Sequence, residues 1–386
     1  MMKYNFDKLT DRRGTGSLKW DVPRGELPMW VADMDFETAP EIIEVLKKRA
    51  EHGIFGYSVV TQDWYEAYQD WWGRRHGLEM EKGWLVFCTG VVPAISSTVR
   101  KLTTVGENVL VQTPVYNIFF NSIRNNGRNI LESPLVYEDG EYHVDFDDLE
   151  AKLADSQTTL MILCNPHNPV GKIWDRETLA RIGELCARHH VLVLSDEIHC
   201  DLTDPGYDYV PFAAVSKLCR DNSITCLAPT KTFNLAGLQT AAVVAPNPVI
   251  RHKLERGLNT DEVPEPNVFA VVAAVAAFRK GEEWLEELRA YLFENKQCVR
   301  RFVSERLTGI RVVPSNATYL LWLDCSAVTE DAGELTDFIR KNSGLYLTAG
   351  EEYGTCGRQF IRLNAACPRA RLQEGLERLE KCVKNF

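Results

Sequence analysis

The sequence predicts an α/β fold: a layered, mostly parallel sheet between helices, followed by a smaller α+β unit. Three observations carry this. Between residues 84 and 245, short apolar runs alternate with helical periods. The runs are continuous in polarity, not alternating, as in strands covered on both faces. A chain of 386 residues also exceeds what one hydrophobic core ordinarily serves, so two domains are expected. Strand–helix–strand succession implies right-handed crossovers and parallel pairing.

A first helix is expected over 38–52. Thr38 serves as its cap, Pro40 suits its first turn, and Gly53 stops it. Ile42, Ile43, Val45, Leu46 and Ala50 make its apolar face. A second helix covers 61–76, with Trp64, Tyr65, Tyr68, Trp71 and Trp72 as a core or subunit-contact stripe. Strands are expected at 85–88, 109–112, 160–164, 191–195, 224–227 and 241–244, with helices such as 93–103 and 175–189 between them. Beyond Val268 come long helices, strands near 317–323 and 358–364, and a closing helix over 368–385. The expected division is 1–45 as an N-terminal segment packing with the small domain, 46–285 as the large domain and 286–386 as the small one.

Composition narrows the function. Apolar residues make up 45% and charged residues 25%, which excludes wholesale disorder. Acids outnumber bases, 54 to 44, so the net charge of −10 repels nucleic-acid phosphates and anionic lipid. The first residues hold no apolar leader, so no signal peptide is expected. The longest uncharged apolar run, 268–278, is too short to span a bilayer. A soluble, cytoplasmic protein follows, with no membrane or nucleic-acid partner. The eleven cysteines include no CxxC pair or zinc spacing. They read as small buried residues in a reducing compartment, and no metal centre is expected.

In α/β sheets, ligands sit beyond the carboxyl ends of the strands. The residues there are therefore the candidates. Thr89-Gly90-Val91-Val92-Pro93-Ala94 opens a helix, and the free amides of a helix start suit a phosphate. Tyr116 follows the next strand and can stack on a planar ligand or simply pack. The turn Asn165-Pro166-His167-Asn168-Pro169-Val170-Gly171 is rigid, and Asn168 can offer its amide to a ligand oxygen. Asp196-Glu197-Ile198-His199 ends a buried strand, where a carboxylate needs a cation or a donor. A protonated ring nitrogen or a structural salt bridge would both serve. Lys231, in Ala228-Pro229-Thr230-Lys231-Thr232-Phe233-Asn234, is an imine former if buried and a solvated lysine if not. Singly these are weak. Together they give a phosphate cradle, a ring stacker, a phenolate donor, a pyridinium acceptor and an imine lysine, the parts that pyridoxal 5′-phosphate (PLP) requires.

This order resembles fold-type I PLP enzymes, the aspartate aminotransferase superfamily, and within it the MalY/PatB group of C–S β-lyases. The resemblance also rests on Met29-Trp30-Val31-Ala32-Asp33-Met34-Asp35-Phe36, on Phe55-Gly56-Tyr57 and on Ile361-Arg362-Leu363-Asn364. It implies a large domain with a mostly parallel seven-stranded sheet and a smaller α+β domain. It implies that Lys231 carries PLP as a Schiff base and moves protons at Cα, and that Asp196 pairs with the pyridine N–H. Tyr116 would stack on the ring, and Asn168, helped by His199, would bond the phenolic oxygen. Gly90, Val91 and Val92 amides would hold the phosphate. Many relatives place a serine where this chain has Ala228, and Thr230 would compensate. Arg362 would clamp the substrate carboxylate through a bidentate fork. Tyr57 would reach the neighbouring subunit's site, which implies a homodimer.

The implied reaction is β-elimination from L-cystathionine or L-cysteine-type substrates, giving pyruvate, ammonia and a thiol. A class I/II aminotransferase would use the same groups up to the carbanion. A regulatory protein retaining the fold is the third reading, and the presence of Lys231, Asp196 and Arg362 together argues against it.

Overall fold

The computed structural model describes residues 3–386. Its large sheet has seven strands: β1 (Leu85–Cys88), β2 (Asn108–Val111), β3 (Asn129–Glu132), β4 (Thr158–Cys164), β5 (Leu192–Asp196), β6 (Ser223–Leu227) and β7 (Ala241–Val244). They lie in the order β1-β7-β6-β5-β4-β2-β3. β7 runs antiparallel to both neighbours and every other pairing is parallel. The carboxyl ends of β1, β2, β4, β5 and β6 therefore meet at one edge.

Six strands coincide with the apolar runs, with ends displaced by a residue or two. The seventh, β3, is missed by that reading. It lies at the sheet edge with exposed and half-buried residues only, so it lacks the continuous apolar run of a buried strand. Helices cover both faces. Val91–Leu102 packs with Leu254 and Leu258 on one side, and Arg176–Arg188 buries Leu179, Ile182 and Leu185 on the other.

The first helix is Pro40–Glu51. Thr38 does not cap it. Ala39 holds the capping position without a side-chain bond, and the Thr38 hydroxyl is buried without a partner. Gly53 does close it, with φ of +73° and its N–H donating to Ala50 O at 3.0 Å. In Gln62–His76, Trp64, Tyr68, Trp71 and Trp72 are wholly buried. Tyr68, Trp71 and Trp72 pack on Phe278, Trp64 packs on Tyr68 and Phe87, and Trp71 also meets Phe233 with ring centroids 5.9 Å apart. The stripe is thus core. Ala270–Lys280, the Ala-rich run, is the helix that receives it.

The smaller unit is a four-stranded antiparallel sheet: β8 (Arg311–Val312), β9 (Leu320–Asp324), β10 (Thr348–Ala349) and β11 (Phe360–Asn364), in the order β8-β9-β11-β10. Ala332–Ser343 and Arg369–Val383 pack against it through Leu335, Ile339, Leu372 and Leu376. The N-terminal segment touches both cores. Phe6 and Phe36 join the aromatic cluster around Trp284, whereas Trp20, Leu27 and Met29 join the core of the small sheet.

Nine of the eleven cysteines are buried, Cys298 is half-buried and Cys356 exposed, and all are free thiols. Among the described residues no helix is long and apolar enough to cross a membrane.

Candidate active site

At the common carboxyl edge lies a cavity of about 270 Å³. Gly90, Val91, Val92, Tyr116, Asn168, Asp196, His199, Thr230 and Lys231 all line it. Nine of the residues singled out in the sequence thus converge from five strands. Arg362 approaches the same place from β11, bonding Asn168. Tyr57 does not. It is 104% exposed, on a stretch where Ile54, Phe55 and Val59 are also exposed, and it lines no part of this chain's cavity.

Val91–Leu102 begins directly after β1, with Gly90 in extended conformation before it. The Val91 and Val92 amides donate to no acceptor among the described residues, and Pro93 has no N–H. Two free donors therefore face the cavity at the positive end of a helix.

The turn after β4 is rigid. His167 N–H donates to Lys172 O at 2.8 Å, and Gly171 N–H to His167 O at 2.7 Å. Gly171 has φ of +72°, and an added Cβ would lie 2.7 Å from Ser315 Cβ and 2.8 Å from Ala317 O. Only glycine fits there. The turn fixes Asn168, whose Oδ1 accepts from Arg362 Nη1 at 3.2 Å. Its Nδ2 is left free to donate.

Asp196 is buried at the end of β5. It accepts the Ile198 N–H at 3.2 Å and makes no ion pair among the described residues. Burial pushes its pKa up to about 6, against the pull of Lys231. His199 is buried too, and its Nδ1 has no partner. Burial, then Lys231 and Arg362, push its pKa down to about 3, so the ring is neutral.

Lys231 sits in the short helix Pro229–Thr232, which Thr232 anchors by donating to Asp201 at 3.0 Å. Its Nζ donates to Ala32 O at 2.5 Å. Burial and then Arg362 push its pKa down to about 8, although Asp33 and Asp196 oppose them. The amine is thus within reach of its free form near neutral pH. Ala228 is buried and offers no hydroxyl, whereas Thr230 lines the cavity. The Tyr116 hydroxyl is pushed up to about 12, by burial first and then by Asp196.

Arg362 is buried. Its Nη2 donates to Trp30 O at 2.8 Å, its guanidinium stands 4.8 Å from the Tyr353 ring, and its Nε has no partner. It has no carboxylate partner among the described residues, which suits an anion-binding group.

Residue types alone do not find the strap formed by Trp30, Val31, Ala32 and Asp33. Its carbonyls accept from Arg362, Lys231, Tyr319 and Asn364, the last giving bonds to Val31 O at 2.5 Å and Asp33 O at 2.7 Å. The motif was visible, but backbone carbonyls have no residue-type signature. Tyr319, Tyr353 and Gln239 were likewise missed. A charge cluster holds the strap in place. Lys19 and Asp35, 1% and 2% exposed, lie 3.1 Å apart, and Arg12 reaches Asp33 at 2.6 Å and Asp35 at 2.8 Å.

A buried carboxylate without a cation, a buried ring nitrogen without a partner, two free helix-start amides and an amine of lowered pKa fit PLP. Each offers what one edge of that molecule needs.

Comparison with known proteins agrees. The family model "Aminotransferase class I and II" matches residues 27–379. The cystathionine beta-lyase PatB of Bacillus subtilis is 45% identical, over 98% of this chain and 100% of its own. The protein MalY of Escherichia coli is 32% identical, over 99% of each chain. Cystalysin from Treponema denticola, whose crystal structure contains a pyridoxal 5′-phosphate cofactor, superimposes with a TM-score of 0.96 at 33% identity, over all of both chains. The chain belongs to the fold-type I PLP-dependent aminotransferase superfamily and is closely related to the MalY- and PatB-type cystathionine beta-lyases.

Proposed function

We propose that this chain is a PLP-dependent C–S β-lyase, converting L-cystathionine or L-cysteine-type thioethers and thiols to pyruvate, ammonia and a thiol. The observation that carries it is the convergence of Lys231, Asp196, Asn168, Tyr116 and the Gly90–Val92 amides on one cavity. The full-length likeness to PatB and to a PLP-containing cystalysin supports the cofactor and the reaction class.

When bound, PLP supplies an electron sink for the carbanion formed at the substrate Cα. The chain's residues do the rest. Val91 and Val92 amides, with Gly90 and the Thr230 hydroxyl, bind the phosphate. Asp196 accepts from the ring N–H and keeps it protonated. Tyr116 packs on the ring face. Asn168 Nδ2 donates to the phenolic oxygen, with neutral His199 beside it. Lys231 would hold the cofactor, and its amine, when free, would take the Cα proton. Arg362 clamps the substrate carboxylate, and its bond to Asn168 ties that clamp to the cofactor pocket. Tyr116 remains protonated at neutral pH, so it can give a proton to the departing sulfur.

Tyr57 serves the site of a second copy. Its exposure, with Ile54, Phe55 and Val59 around it, is that of a surface awaiting a partner.

The test is a pyruvate assay on PLP-loaded protein with L-cystathionine and no added 2-oxo acid. Sustained release of pyruvate and ammonia over many turnovers is expected, and Lys231→Ala should abolish it. A single conversion of the cofactor to its amine form, renewed only by a 2-oxo acid, would instead make the chain an aminotransferase.

A further inference from the structure

The turn that carries Lys231 is held from two sides. Pro229–Thr232 is a single helical turn, too short to fix its own geometry. On one side, Asn234 grips the chain just past the strap. Its Nδ2 donates to Met34 O and Phe36 O, each at 3.0 Å, and its Oδ1 accepts the Met34 N–H at 3.1 Å. On the other side, Thr232 is wholly buried. Its hydroxyl makes one bond among the described residues, to Asp201 Oδ2 at 3.0 Å. Asp201 follows β5 and Thr232 follows β6, so this bond ties two neighbouring strand ends together.

Asp201 is fixed in its turn. Its side chain is fully buried, and Oδ1 accepts from Trp71 Nε1 at 3.0 Å and from His76 Nε2 at 2.8 Å. Arg75 Nε stands 3.8 Å away. Burial works to raise the Asp201 pKa, but His76, Arg75 and Trp71 outweigh it and keep the carboxylate ionised. All three come from Gln62–His76, the helix locked into the aromatic core. Neither Asp201, Thr232 nor any residue of that helix lines the cavity.

We propose that Asp201 is a positioning residue for Lys231, acting through the Thr232 hydroxyl to aim the lysine into the cavity. This rests on the reading of Lys231 as the cofactor's lysine and adds the group that orients it. An ionised acceptor makes a stronger bond than a neutral one, and this acceptor is anchored before Thr232 reaches it. An amine that must both hold a cofactor and move a proton at Cα tolerates little misplacement.

The test compares full-length Thr232→Val, Thr232→Ser and Asp201→Asn, each first shown to be folded by circular dichroism. One readout is the rate at which cofactor-free protein takes PLP onto Lys231, followed by absorbance, with the site identified by borohydride reduction and peptide mass spectrometry. The other is kcat and KM for L-cystathionine in the PLP-loaded enzyme. Thr232→Val should slow uptake and lower kcat about tenfold, the worth of one hydrogen bond to a charged group, with KM nearly unchanged. Thr232→Ser keeps the hydroxyl and should stay near wild type in both. Asp201→Asn should lose in the same direction, and the double variant with Thr232→Val should lose no more than the larger single effect. If Asp201→Asn does not fold, the two Thr232 variants decide. Wild-type uptake and kcat in Thr232→Val, or an equal loss in Thr232→Ser, would overturn the assignment. Uptake of PLP on Lys231 without pyruvate release by the wild type would overturn the lyase reading alone, because the uptake rates would still report on Asp201.

Discussion

Asp196 bears an electrostatic cost that a ring nitrogen relieves. Its folded pKa of about 6 lies above the ordinary carboxylate value, so the folded chain holds this proton where the unfolded chain has lost it. Stability of the cofactor-free protein therefore falls between about pH 4 and 6 and stays low above that range. Asp196→Asn should make the cofactor-free protein more stable at pH 7, by on the order of 2 kcal/mol, with little difference at pH 3. Urea unfolding at the two pH values checks this. The same variant should lose turnover, because its amide cannot hold the ring N–H protonated. Asp196, Lys231, Tyr116 and Asn168 were legible in the sequence because each follows a buried strand, where polar side chains are conspicuous. Ala32 was not, since its contribution is a carbonyl.

At the scale of elements, the strap at 30–33 depends on the charge cluster beneath it. Burial works to raise the Asp35 pKa, but Lys19, Trp20 and Arg12 outweigh it and hold the carboxylate below its ordinary range. A depressed carboxylate stabilises above its unfolded pKa, and that contribution is lost as pH falls through the folded one. Asp35→Ala leaves Lys19 and Arg12 short of a partner in a dry setting, and should cost about 3 kcal/mol at pH 7. The gap to wild type should narrow in acid, as denaturation midpoints at pH 7 and pH 3 would measure. PLP affinity should fall as well, because the carbonyl that receives Lys231 is then less firmly held. Most strands were readable as apolar runs. β3 was not, because an edge position removes the burial that writes such a run. The cap of Pro40–Glu51 was misplaced because a threonine two residues ahead of a helix has the right chemistry in the wrong position.

At the scale of the molecule, the cavity lining holds every residue the sequence nominated except Arg362, which reaches it through Asn168, and Tyr57, which does not approach it. If two copies share their sites, Tyr57→Ala and Lys231→Ala should each be inactive as pure protein, yet regain part of the wild-type activity when unfolded together and refolded as a mixture. Mixed molecules would pair an intact Lys231 with an intact Tyr57 across the interface. No recovery in a mixture shown by mass spectrometry to contain both chains would place Tyr57 outside the site. The sequence indicated this residue only by resemblance, since nothing in one chain says where another sits.

The strap is made early in synthesis and its partners late. Residues 30–33 leave the ribosome long before Tyr319, Arg362 and Asn364, whose side chains they bond. A nascent chain can build the large sheet while its last strand is still in the exit tunnel, but it cannot close the pocket. Cofactor capture thus belongs to the released polypeptide, and a chain cut short before residue 362 would have the lysine without the enclosure that makes it useful.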